Sequence, residues 1–175
     1  QYFFLDSHGL LDASQPPRYG VYAPLDCGNG VMAFGRDPAC SQQVWSAEEG
    51  YPGDPDYREY YRDIGFDLPL DYIGPYILDE NIRINTGIKY HRVTGDVMHK
   101  DVYHPDKALA KAQIHAEDFI GKRREQIQSL TAEMEQPPIM VAPYDAELFG
   151  HWWHEGPLWL EQHHGTGLTL PMMPP

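Results

Sequence analysis

Four consecutive apolar or aromatic residues, Tyr2 to Leu5, stop abruptly at the polar run Asp6-Ser7-His8-Gly9. A continuous apolar stretch of this length predicts a strand covered on both faces, as parallel strands packed between helices are. Residues 20–23 and 31–34 are spaced to form a hairpin across Asp26-Cys27-Gly28-Asn29-Gly30, whose Asn-Gly pair favours a turn. Residues 56–63 predict one short helix. The alternating stretch 87–94, ended by Gly95, predicts a strand. The strongest periodicity lies between Pro105 and Met134, where Leu109, Ala112, Ala116, Phe119, Ile120, Ile127, Leu130 and Met134 recur at three- and four-residue steps. Pro105 suits the first helical position, and Asp106 complements the positive end of the dipole. Pro137-Pro138 ends that helix, and Ile139 to Ala142 predicts a further buried strand leading into Pro143-Tyr144-Asp145.

A long helix feeding a short apolar strand is an αβ unit. The pattern therefore predicts an α/β fold, part of a barrel in which the residues just past the strand ends form the active-site face. Residues 13–75 are dense in Pro, Gly, Asp and Tyr, too long a stretch for a plain connection and of the kind that carries function. No internal repeat is present.

Composition narrows the function. The 175 residues carry 26 acidic and 13 basic side chains, a net charge of −13. That balance argues against nucleic acid and anionic membranes, both of which are held by clustered Lys and Arg. No apolar run reaches the length of a membrane span. Two cysteines, Cys27 and Cys40, are too few for a disulfide scaffold or a four-cysteine zinc site; one bridge between them is the alternative to the two reduced thiols and cytoplasmic setting that are expected. Gln1 to Asp6 has no basic leader and reads as a strand entered in mid-domain. The 12 Tyr, 4 Trp and 6 Phe suit either a sugar-binding cleft or an ordinary core.

The densest candidate chemistry lies between Ala142 and Gly156. Two carboxylates, Asp145 and Glu147, stand there with His151, His154 and the indoles Trp152 and Trp153. If the strand simply continues, Asp145 and Glu147 project to the same side. Two readings remain open at this point: an acid–aromatic site on the rim, or a core helix begun by the two tryptophans and capped by Asp145. His8, just past a strand end and beside Asp6, is a further candidate. His151, His154, Glu155, His163 and His164 invite a metal reading, but their order is not H-E-x-x-H and no cysteine is near, so neither metal nor cofactor is expected.

The stretch Ala142-Pro143-Tyr144-Asp145-Ala146-Glu147-Leu148-Phe149-Gly150-His151-Trp152-Trp153 resembles the fourth signature motif of glycoside hydrolase family 57, in its branching-enzyme form. The resemblance extends through residues 6–10, 17–24, 34–38, 44–58, 63–67 and 87–90. It implies a distorted (β/α)7 barrel with long aromatic- and proline-rich loops, of which residues 1–160 form the C-terminal part and residues 161–175 an atypical tail. It also implies a retaining double displacement on an α-glucan, with Asp145 as acid/base and Glu147 and Trp152 at active-site positions; His8, His151 and Trp153 join them as candidates for substrate contact. The nucleophilic glutamate of the family belongs to an earlier motif. Trp45-Ser46-Ala47-Glu48-Glu49-Gly50-Tyr51 looks like that motif only superficially, so neither Glu48 nor Glu49 is assigned to the role. A barrel represented in part would leave open strand edges, and self-association through them is expected. Within the same family the alternatives are a 4-α-glucanotransferase or an amylase-like hydrolase. Outside it stands a non-catalytic glycan-binding piece using Trp45, Trp152, Trp153 and Trp159.

Overall fold

The computed structural model describes residues 1–46, 49–78, 81–95 and 98–165. The chain divides into two compact units, Gln1–Tyr51 with Asp118–Asp145, and Pro52–Glu117 with residues 146 onward.

In the first unit, β1 (Tyr2–Leu5) runs into the short helix α1 (His8–Leu11), followed by β2 (Leu25–Asp26), β3 (Met32–Gly35) and α2 (Pro38–Trp45). β1 pairs parallel to β3, and β2 lies antiparallel on the other side of β3. The expected hairpin therefore forms, but one step later than the apolar pattern suggests. Residues 20–23 make a turn with Gly20 at φ +55°, and Leu25–Asp26 take up the pairing. The Asp26 carboxylate accepts from Gly28 N at 2.8 Å, and Cys27 N donates to Val31 O at 3.0 Å, closing the loop through Gly28 and Gly30 at φ +78°. β1 is not the doubly covered strand its composition predicts. Tyr2, Phe3 and Phe4 are all exposed, with Tyr2 and Phe4 leaning on Phe34 at 6.0 Å between ring centres.

Residues 139–142, expected as a strand, form no regular element, and two backbone bonds join them to this sheet region among the described residues. Ile139 N donates to Tyr22 O at 2.9 Å, and Asp37 N donates to Val141 O at 2.8 Å. Since Arg36 N donates to Leu5 O at 2.9 Å, the residues just past β3 bond to β1 and then to the 139–142 segment. Among the described residues the sheet has three strands in the order β1-β3-β2.

The second unit holds α3 (Ile64–Asp67) and α4 (Leu70–Ile73), the beginning of α5 (Pro105–Glu133), and α6 (Gly156–Gly165). α5 confirms the long periodic stretch, ending one residue early. Its buried stripe runs Ala108, Ala112, Ala116, Phe119, Ile120 and Arg123, so Leu109 and Ile127, expected inside, face outward. No helix among the described residues is long and apolar enough to cross a membrane. α6 carries helical structure through Gly165, into the expected tail; residues 166–175 lie outside the described residues, as does Glu48.

Residues 56–63 do not form the expected helix. Tyr57 and Glu59 pair instead with the 91–93 segment, through Glu59 N to His91 O at 2.9 Å and Val93 N to Tyr57 O at 2.8 Å. The expected 87–94 strand is thus reduced to isolated bridges at Arg92 and His91. Helix starts one residue beyond the expected span because Asp63 caps α3, accepting from Gly65 N at 2.9 Å.

Asp63 is 2% exposed, and its carboxylate also accepts from Thr86 N at 3.0 Å, Thr86 Oγ1 at 2.7 Å and Gly87 N at 2.9 Å. Burial alone would raise its pKa, but the bonds from Thr86, Gly65 and Gly87 outweigh it and hold the carboxyl below its ordinary value. A depressed folded-state pKa stabilises the fold above the unfolded value near 4, and the contribution is lost as pH falls through the folded value. Replacing Asp63 by Ala leaves several buried donors without an acceptor and is expected to cost about 3 kcal/mol or more in chemical denaturation. In Asp63→Asn, the acid-side decline in stability should flatten; an unchanged acid profile would rule out this residue as its source.

Candidate active site

The first unit presents a charged rim just past its strand ends. Asp6 follows β1 and lies 4.0 Å from the Arg36 guanidinium, which follows β3. His8, the first residue of α1, has Nδ1 3.9 Å from Asp6 and keeps three-quarters of its side chain in solvent. Asp145 is exposed at the end of the segment pinned at Val141. The Tyr144 hydroxyl, one residue earlier, donates to Cys40 O at 3.3 Å. The alternative in which Asp145 caps a helix begun by the tryptophans is set aside, because the α-helix of this region starts only at Gly156.

In the second unit the motif folds into a tight closed turn. Residues Ala146–Leu148 form a single 3-10 turn, so the alternation that would send Glu147 to the same side as Asp145 does not apply. Trp152 N donates to Glu147 O at 3.2 Å, Trp153 N to Leu148 O at 2.8 Å and Gly150 N to Trp153 O at 2.8 Å. Gly150 sits at φ +89°, a conformation that a side chain would strain. Glu147 and His151 are exposed.

The turn sends the two indoles opposite ways. Trp152 is 47% exposed and lies 4.3 Å from the Tyr60 ring at an interplanar angle of 31°. His151 adjoins both rings at 5.4 Å, with Nε2 3.3 Å from the Tyr60 hydroxyl. Lys89 Nζ stands 5.2 Å from the Tyr60 ring centre and donates to Tyr60 O. Tyr61, 5.3 Å from Tyr60, is almost wholly in solvent. These groups make an exposed aromatic platform with hydrogen-bonding edges.

Trp153, by contrast, is 1% exposed. It packs on Tyr57 at 5.5 Å and Trp159 at 5.3 Å, so the expectation that it touches substrate is corrected: it is core. Trp159 is buried too, and stacks on Phe149 at 6.2 Å and 10°. Glu155 is enclosed beside them and accepts from Arg58 N at 3.1 Å. No set of three His, Cys, Asp or Glu placed to hold a metal occurs among the described residues.

Tyr60 and Lys89, which the structure groups with Trp152, were not singled out in the sequence. The signal available was the doubled tyrosine Tyr60-Tyr61 in an acidic, proline-rich loop, but nothing local links it to Trp152, 92 positions on.

No family model matches the chain. It is 36% identical over 135 residues to a probable 1,4-alpha-glucan branching enzyme of Mycobacterium tuberculosis, a match covering 75% of this chain and 22% of that protein. Among solved structures it resembles the alpha-amylase AmyC of Thermotoga maritima, with 49% identity and TM-score 0.87, covering 98% of this chain and 34% of the other. It also resembles a GH57-type branching enzyme of Pyrococcus horikoshii, with 36% identity and TM-score 0.74, covering 93% and 26% respectively. The chain thus spans between about a fifth and a third of the length of these relatives.

The different placements of the two indoles separate in stability. Trp153→Ala should cost about 3–5 kcal/mol in chemical denaturation, as large buried aromatics do. Trp152→Ala should cost about 1 kcal/mol, the scale of one exposed ring pair. Equal losses would show that Trp152 is core as well.

Proposed function

We propose, from a chain homologous to a segment of 1,4-alpha-glucan branching enzymes of the GH57 type, that it supplies the acid/base side of a retaining α-glucan transferase site. The observation that carries this reading is the exposed Asp145 in the motif Ala142–Trp153, on a segment pinned to the residue just past β3. β1, β3 and the 139–142 segment are then strands of a distorted (β/α)7 barrel, and the rim holding Asp6, His8 and Arg36 is its active-site face.

In this reading a nucleophilic carboxylate from outside these residues bonds to C1 of a glucosyl unit. The glycosidic oxygen takes the proton of Asp145 and departs. The ionised Asp145 then accepts the proton of an incoming glucan 6-hydroxyl as that oxygen bonds to C1 and releases the nucleophile. The two carboxyl groups of a retaining pair stand about 5–5.5 Å apart. In the second unit Trp152 and Tyr60 offer ring faces to the apolar faces of glucose units, and Glu147 and His151 offer polar edges to hydroxyls; in the first unit His8 offers a polar edge of its own. The partner is an α-glucan. A reduced, cytoplasmic setting suits the two free thiols.

The 49% identity to an α-amylase structure favours a second reading, in which water takes the place of the 6-hydroxyl. Amylose incubated with the full-length protein separates them. Branching yields short chains on enzymatic debranching with little gain in reducing ends, whereas hydrolysis yields reducing ends and no branch points. Asp145→Asn is expected to lower either activity by about 10²–10⁴-fold, the contribution of a general acid/base. Retention of more than a tenth of the activity would exclude Asp145 from the role.

The exposed Tyr2, Phe3 and Phe4 of β1 support self-association of this chain when it stands by itself. Light scattering should find species larger than the monomer, and Tyr2→Ser with Phe4→Ser should reduce them; a monodisperse monomer of the unchanged sequence contradicts this.

A further inference from the structure

The carboxyl proposed to carry the proton follows a segment bonded to its surroundings at Ile139, Val141 and Tyr144. Beyond the backbone bonds at Ile139 and Val141, the Tyr144 hydroxyl donates to Cys40 O at 3.3 Å, one residue before Asp145. Cys40 lies in the first turn of α2, and that turn is itself fastened from within. Asp37, wholly buried, accepts from Ala39 N at 3.1 Å through Oδ1. Its Oδ2 accepts from Cys40 Sγ at 3.0 Å, Gln126 Nε2 at 3.2 Å and Arg123 Nη1 at 3.3 Å. The same Arg123 nitrogen reaches Cys40 Sγ at 2.8 Å.

We propose that Tyr144 is a positioning residue for Asp145: its hydroxyl, anchored on the first turn of α2 and through it on the Asp37–Arg123 pair, sets the direction in which the next side chain leaves the segment. The proposal rests on the reading of Asp145 as the acid/base. Cys40 O is only an acceptor, so it can hold Tyr144 solely while the phenol keeps its proton. Burial and the neighbouring Cys40 and Asp37 raise the phenol's pKa, which keeps it a donor at neutral pH. Burial and the bond to Asp37 likewise push the Cys40 thiol up to about 12, so the sulfur stays a donor to Asp37 and does not add a second negative charge. The tether is therefore constant over the range in which a glycoside-transferring carboxyl works.

A side chain that only packs would be replaced without loss by phenylalanine, whereas a tether would not. In the full-length protein Tyr144→Phe should lower kcat about tenfold, within the range that small misplacements of a reacting group produce. KM should stay within about twofold and the unfolding temperature should be nearly unchanged. The limb of the kcat–pH profile set by the acid/base should move, because the environment of its carboxyl has changed. Wild-type kcat and pH profile in a folded Tyr144→Phe protein overturn the proposal. If that variant does not fold, Arg123→Lys keeps a positive charge near Asp37 with a shorter reach to Cys40. It should show the same fall in kcat with KM held, and full kcat there overturns the proposal equally. Asp145→Asn separates the two levels. An inactive Asp145→Asn beside a fully active Tyr144→Phe removes the positioning role alone, and an active Asp145→Asn removes both.

Discussion

A carboxylate with no access to water holds the first unit together. Asp37 follows the end of β3, and its main chain and side chain serve partners in three segments: 139–142, α2 and α5. Its N–H fixes Val141, one oxygen caps α2, and the other gathers Cys40, Gln126 and Arg123. Burying a carboxylate is unfavourable unless its charge and lone pairs are met, so each of these partners is required where it is. Removing one member of such a pair costs about 3–5 kcal/mol, because the remaining charge is left buried without compensation. The direction of α2, the seat of α5 against it and the course of the chain toward Asp145 follow from that one requirement.

The functional motif divides its work in a related way. Its sequence places two indoles side by side, yet a 3-10 turn and the left-handed Gly150 drive one into the core and leave the other on the surface. Trp153, held by Tyr57 and Trp159, forms the base on which the turn stands. Trp152 then shows a face stiffened by Tyr60 and His151. Surrounding an exposed ring with other rings fixes its orientation, which lowers the entropic cost of any contact made on its face.

Legibility in the sequence followed the range of the forces involved. α5 was legible almost to its ends, since periodicity and a proline start are local signals, and β1 and the hairpin loop were legible for the same reason. The faces of α5 were not, because alanine gives no apolar contrast to show that Ala108, Ala112 and Ala116 rather than Leu109 point inward. The 56–63 and 87–94 segments were misjudged because their pairing partners lie about thirty residues away. Of the residues in the motif-based reading, Asp145, Trp152 and His8 stand exposed. Trp153 shows where that reading stops: adjacent identical residues carry no local sign of which one turns inward.

Native-state hydrogen exchange at the Asp37 amide tests most directly whether this buried carboxylate and its backbone govern the first unit. With its N–H on Val141 O and its side chain enclosed, the amide should exchange only through global unfolding, and in Arg123→Met it should exchange faster in step with the lost stability. Exchange at the rate of an exposed loop, or indifference to the loss of Arg123, would contradict the account.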